Sequence, residues 1–477
     1  MILSRRMIGS LAKTWMPFAE AASAELPLKQ LMRLSLFQIS VGMAQVLLLG
    51  TLNRVMIVEM GVPALVVALM ISIPVLVAPF RAVLGHRSDT HRSAIGWKRV
   101  PYLWFGSLWQ MGGLALMPFA LILLSGDQTM GPDWAGEVFA AIAFLMAGLG
   151  MHMTQTAGLA LAADRATEET RPRVVALLYV MFLVGMGISA IVVGFFLRDF
   201  DQMTLIRVVQ ACGAMTLVLN VIALWKQEVI RPMTKAEREA PRQTFREAWG
   251  LLAAESGAMR LLAVVMIGTL GFNMQDVLLE PYGGQVLGLP VSMTTLLTAS
   301  WSFGALIGFI WSARRLSQGA TAHRLAARGI LIGIVAFTAV LFSALFESKI
   351  MFFAAAWGIG LGSGTFGIAT LTVAMMVIVR GASGIALGAW GAAQATAAGL
   401  AVFFGGALRD LVAHAASAGY LGALDSPALG YSVVYAIEIG LLFTTLAVLG
   451  PLARPGSLFP KKPETGEARI GLAEFPT

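Results

Sequence analysis

The sequence predicts an all-α integral membrane protein, with twelve transmembrane helices arranged as two pseudo-symmetric six-helix bundles. Three observations predict it. Of 477 residues, 57% are apolar and 13% charged, about half the charged share of an average soluble domain. Apolar runs long enough to span a bilayer, about 20 residues each, use up most of the chain. Lys and Arg also segregate by loop. With the N-terminus inside, 28 of the 34 fall in cytoplasmic segments, counting Arg260 at the edge of the seventh span, and three (Arg198, Lys349, Arg409) in the opposite loops, which places both termini in the cytoplasm. The net charge of +8 is therefore read as orientation, with no nucleic-acid partner expected.

The elements follow in order. Residues 1–33 carry Arg5, Arg6, Lys13, Lys29 and Arg33 with no uninterrupted apolar core, so a cytoplasmic amphipathic segment is expected and not a cleaved signal peptide. Spans are expected at 34–58, 64–84, 100–124, 137–161, 175–197 and 205–225, forming a first bundle over 34–225. A second set, at 260–280, 292–312, 329–346, 351–379, 385–408 and 432–452, forms a bundle over 260–453. Between them, 226–259 is a polar cytoplasmic loop. Phe245, Trp249 and Leu252 recur there at helical spacing, which suits either a surface-lying helix or a solvated linker. The tail, 454–477, is Pro-rich, charged and expected to be disordered. Cys212 is alone in an apolar run, so neither a disulfide nor a thiolate metal site is expected.

The halves repeat one another. Helix one runs through Asn53-Arg54-Val55 to Gly61-Val62-Pro63, and helix seven through Gln275-Asp276-Val277 to Gly288-Leu289-Pro290. Helix five ends Gly194-Phe-Phe-Leu-Arg198-Asp199, and helix eleven ends Gly405-Gly-Ala-Leu-Arg409-Asp410. Two halves in the same orientation imply a parallel repeat about an axis along the membrane normal.

Between helices two and three stands Gly85-His-Arg-Ser-Asp89-Thr-His-Arg92, followed by Lys98-Arg99, and helix four ends Asp164-Arg165. This pattern resembles the loop motif of the major facilitator superfamily, in which Gly allows a tight turn and a carboxylate with basic residues ties neighbouring helix ends. The resemblance implies a latch made by Gly85, Asp89, Arg92, Asp164 and Arg165. The match is incomplete, since Thr90 stands where a basic residue is common and Arg92 is one place out of register. The equivalent loop of the second half keeps Arg314 and Arg315 without an Asp.

The run from Gly271 through Gln275-Asp276-Val-Leu-Leu-Glu280-Pro281-Tyr282-Gly283-Gly284, with Thr51-Leu-Asn53-Arg54 to Glu59 in helix one, resembles the PucC and LhaA family. That family is classed as the bacteriochlorophyll-delivery branch of the superfamily, and in chain length and long N-terminal segment this sequence looks more like its LhaA side. The resemblance implies a factor for assembling a purple-bacterial antenna, the core complex LH1 in preference to the peripheral LH2. It implies bacteriochlorophyll as bound or transferred cofactor. Antenna polypeptides, reaction-centre assembly intermediates and late bacteriochlorophyll-synthesis enzymes are the implied partners, in the intracytoplasmic photosynthetic membrane. The alternative is an ion-coupled transporter of an amphipathic small molecule. No Walker loop, dinucleotide fingerprint, acidic metal cluster or catalytic triad is evident, so neither an enzyme, a nucleotide nor a protein-bound metal is expected.

In this superfamily helices one, four, seven and ten line the central cavity. His152, in helix four, is the one histidine inside an expected span. It suits axial ligation of a pigment magnesium, with Gln155 on the same face, or a hydrogen bond to a neighbouring helix. Arg54 and Asp276 occupy equivalent places and are expected to pair as a periplasmic latch, or Asp276 to couple an ion, unless each snorkels separately. Glu59 and Glu280 are expected near the membrane boundary. The glycines of helices ten and eleven suit close packing or a slot for a planar ligand, and Glu438 and Gln394 are intramembrane polar groups without an assigned role.

Overall fold

The computed structural model describes residues 22–23, 26–76, 97, 99–124, 132, 134–167, 170–228, 253, 257–376, 383–418, 420, 426 and 428–453. Gly85, Asp89 and Arg92, the stretch around Phe245 to Leu252, and the tail from 454 lie outside them, as does the N-terminal segment up to residue 21. The helices are α1 (Leu28–Glu59), α2 (Ala64–Leu76), α3 (Val100–Leu124), α4 (Ala135–Arg165), α5 (Arg171–Phe196), α6 (Gln202–Leu224), α7 (Ala258–Gln285), α8 (Val291–Ser317), α9 (Ala322–Leu345), α10 (Lys349–Met376), α11 (Ser383–Ser417) and α12 (Leu429–Leu449). Eleven are long and apolar enough to cross a membrane, and α2 is apolar over its described part.

Most spans match their expected ranges, with extensions at the ends. α1 starts at Leu28, six residues inside the expected amphipathic segment, because Leu31 and Leu34 are buried against the bundle. Longer α9 and α11 bring His323 and His414 into helices, so His152 is not alone among histidines in a span. The two bundles repeat the same neighbours: α3 packs on α4 and α6 as α9 packs on α10 and α12, and α1 packs on α5 as α7 packs on α11. Between bundles, α5 meets α8 and α2 meets α11.

Small residues set these approaches. On α3, Gly106 and Gly113 leave no room for a Cβ against the α4 backbone. Gly360 and Gly364 of α10 lie on the α8 backbone, and Gly362 lies on α9, so close packing accounts for most of the α10 glycines. Gly367 of α10 and Gly391 of α11 instead face open space. Inside the first bundle Asn220 accepts from Ser40 at 2.7 Å and donates to Ser107 at 2.8 Å, joining α6 to α1 and α3. Apolar side chains such as Phe105, Phe119, Val335 and Ile350 point outward, as lipid-facing positions do.

Two helices are irregular where they meet. α1 widens into π-helix over Val46–Thr51 and again over Val55–Glu59, a rare geometry found mostly at functional positions. α7 breaks after Asn273 into a 3-10 turn, Met274–Val277, and resumes at Leu279. Pro281 explains part of the break: having no N–H, it cannot bond the carbonyl four residues back, that of Val277. Asn53 Nδ2 donates to that carbonyl instead, at 2.9 Å, and to Leu49 O at 3.0 Å.

Candidate functional site

A cavity of about 330 Å³ lies between the bundles. α1 contributes Gln45 and Leu48, α2 Pro74, α4 His152 and Gln155, α5 Tyr179 and Phe182, α7 Asn273 and Asp276, and α11 Trp390 and Gln394. The expected lining by helices one, four, seven and ten is thus corrected: α2, α5 and α11 also line it. α10 lines a second, more apolar cavity of about 200 Å³, which shares Tyr179, Phe182, Asn273, Trp390 and Gln394 with the first. Open space beside Gly367 and Gly391 belongs to these cavities.

His152 and Gln155 are brought together on one wall, with Asp276 and Gln394 lining the same space. His152 is 8% exposed, and its carbonyl accepts from Thr156 Oγ1 at 2.8 Å. Its position four residues after Gly148, which lies against Pro74 of α2, sets it facing the cavity.

The expected Arg54–Asp276 pair does not form. Arg54 NH1 is in an ion pair with Glu59 on its own helix, and NH2 donates to Leu289 O of the second bundle at 3.1 Å. Residues five apart do not share a face of an α-helix, but the intervening π turn brings them together. Asp276 accepts instead from Asn273 Nδ2 at 3.0 Å and from Gln275 Nε2 at 2.5 Å. Glu280 is 3% exposed and accepts from Thr298 Oγ1 of α8 at 2.5 Å, so its side chain is turned into the protein. Glu438 of α12, left without a role by the sequence, accepts the Gln275 backbone N–H at 2.7 Å, one of the groups freed where α7 breaks.

Arg54, Asn53 and Thr51, whose hydroxyl lies 3.2 Å from that of Thr295, tie the bundles together at one face. Asp410 of α11 completes this closure by accepting Leu65 N at the start of α2, at 2.6 Å. At the other end of the bundles stands Asp164, whose expected motif partners Asp89 and Arg92 lie outside the described residues. It accepts from Arg99 Nε at 2.9 Å, whereas Arg165 donates to Gln227 and Gln30 at 2.7 and 2.9 Å. Glu228 accepts the Arg99 and Val100 backbone N–H groups. The sequence motif pointed to this face and contains Arg99, but it did not point to Gln30, Gln227 or Glu228.

The family model described as "PUCC protein" matches residues 51–457. The chain belongs to the PucC family. An uncharacterized protein of the puhA-bchM intergenic region of Rhodobacter capsulatus is 86% identical over the whole of both chains. Protein PucC of Rhodovulum sulfidophilum is 52% identical over 85% of this chain and 90% of its own length, and Protein PucC of R. capsulatus is 48% identical over 93% and 96%. This PucC-family chain is thus nearer to the intergenic protein, on the LhaA-like side, than to these PucC proteins. Among solved structures, an inward-facing bacterial homologue of the lysosomal transporter Spinster aligns with a TM-score of 0.66 at 14% identity, covering 88% of this chain and 95% of that one. The D-xylose–proton symporter aligns with the same score at 13% identity, covering 88% and 96%. They show the major facilitator fold. The chain is a multi-pass membrane protein of a family of transporters and assembly factors, linked to light-harvesting complex assembly.

Proposed function

We propose that this protein assembles the core antenna, LH1, by holding bacteriochlorophyll between its bundles and presenting it to antenna polypeptides in the photosynthetic membrane. The observation that carries this reading is one cavity in which His152, Gln155, Asn273 and Gln394 stand among Tyr179, Phe182 and Trp390. The donor set fits the pigment. An imidazole is a good axial ligand for magnesium, amides donate to ring carbonyls, and aromatic and aliphatic walls suit a flat macrocycle. Once bound, the pigment supplies the antenna's light-absorbing chromophore, and the protein's residues orient it and exclude water. The adjoining apolar cavity continues the site for a hydrocarbon tail, and a lipid-soluble ligand enters from the bilayer without crossing it.

Both termini and the basic loops lie on the cytoplasmic side in this reading. They face antenna chains, reaction-centre intermediates and late pigment-synthesis enzymes there. The 86% relative, against about half identity to PucC proteins, sets the chain on the LhaA-like side, which this reading takes to serve LH1. Replacing His152 by Leu, followed by purification from a purple-bacterial host, tests the ligand. Bound pigment is expected to fall about tenfold, the loss of one good coordination bond, with the protein still folded by thermal unfolding. Unchanged pigment removes His152 as the ligand.

A further inference from the structure

Beside the main cavity, a separate chamber of about 60 Å³ lies between the first π turn of α1 and the break in α7. Its polar lining is mostly oxygen, from the carboxylates of Asp276 and Glu280, the amides of Gln45 and Gln275 and the Thr298 hydroxyl, with the unpartnered indole N–H of Trp301 as its one aromatic donor. The volume is several times the roughly 10–15 Å³ that a single water requires. Gly50 keeps it open, since a Cβ there strikes the Glu280 carboxylate and the Thr298 hydroxyl.

Two oxygens in this lining lack hydrogen-bond partners: Glu280 Oε2 and Gln275 Oε1, on side chains 3% and 2% exposed. A buried acceptor left unmade costs about 1–3 kcal/mol, and more when it is charged. Arg54 passes against Gly284, one turn beyond Glu280, but its guanidinium is in an ion pair with Glu59. Glu438, from α12, adds a third carboxylate nearby and is used on the Gln275 N–H. Among the described residues the chamber therefore gathers more carboxyl groups than the one cation beside it, Arg54, can partner.

We propose that this chamber binds a small hard monovalent cation, sodium in the cell, on side-chain oxygens of Gln275, Asp276, Glu280 and Thr298. Oxygen donors select hard cations. Calcium takes about 6–8 oxygens and magnesium a rigid octahedron, which four side chains do not supply. The bound ion would hold the broken segment of α7 to α8 beside α1, at the joint between the bundles. This site is independent of the pigment reading, because its residues other than Gln45, Leu49 and Asp276 do not line the main cavity.

The test uses the full chain in lipid nanodiscs, with thermal unfolding followed against sodium chloride and, at equal ionic strength, choline chloride. Sodium is expected to raise the Tm saturably, as a ligand of the folded state does, and choline to leave it unchanged. Glu280→Gln is expected to raise the half-saturating sodium concentration about tenfold or more, Thr298→Val to raise it less, and Asp199→Asn on an exposed loop to leave it unchanged. If Glu280→Gln does not fold, Gln275→Leu and Thr298→Val carry the comparison. Equal effects of sodium and choline, identical sodium responses in all variants, or stabilisation by acid alone with no sodium effect would each overturn the site.

Discussion

Asn53 does work that its sequence position does not announce. It supplies the hydrogen bond that Pro281 cannot make, reaching Val277 O across the bundle interface. Asn53→Leu leaves the Val277 carbonyl unmatched in a buried place, and is expected to cost about 1–3 kcal/mol in thermal unfolding. In the presence of Pro281→Ala, which restores an N–H on α7, the cost is expected to fall by about 0.5–1.5 kcal/mol; strict additivity would break the assigned link. At this scale the sequence was only partly legible. Arg54, Glu59, Asp276 and Glu280 are visible as rare intramembrane charges, and all four lie at or beside the interface. Their partners were not visible, because the Arg54–Glu59 contact depends on a π turn and the Glu280–Thr298 contact on how α8 meets α7. His152 and Gln155 were legible together because α-helical spacing alone puts them on one face.

At the scale of helices, pseudo-symmetry organises the closed face. Gly194 of α5 lies on Ser292 O of α8 just as Gly406 of α11 lies on Ala64 O and Ala68 of α2. The repeated Gly and Arg-Asp signals were legible in the sequence for this reason. Their use differs between halves: Asp410 accepts the Leu65 N–H of α2, whereas Pro290 precedes α8 with no side-chain cap. Asp410→Ala is expected to cost about 0.5–2 kcal/mol, the worth of an N-terminal cap, measurable by thermal unfolding. Gly406→Leu is expected to push α2 and α11 apart, seen as a longer spin-label distance between exposed positions 65 and 411; an unchanged distance would contradict the close approach. Among the α10 glycines, Gly364→Leu is expected to destabilise the fold, since it meets the Ala305 backbone, while Gly367→Leu fills open space and is expected to lower bound pigment with the fold retained. Composition alone could not separate these two glycines, because both occur in the same dense run.

For the whole molecule, twelve spans and their division into two bundles were legible because hydrocarbon thickness and backbone satisfaction leave few alternatives to apolar helices. The cavity was less so. Its lining by α2, α5 and α11 follows from how the bundles lean together, which no single helix records. The polar side chains gathered there come from both bundles, so relative movement of the bundles changes the site as well as its access. That coupling is what the proposed role, handing a membrane-soluble pigment to a growing antenna, requires. The measurement that tests it most directly is the visible and near-infrared absorption spectrum of the protein purified in mild detergent from a purple-bacterial membrane, with the copurifying polypeptides identified in the same sample. Stoichiometric bacteriochlorophyll together with core antenna chains is the predicted result, and a colourless protein free of antenna chains would contradict the account.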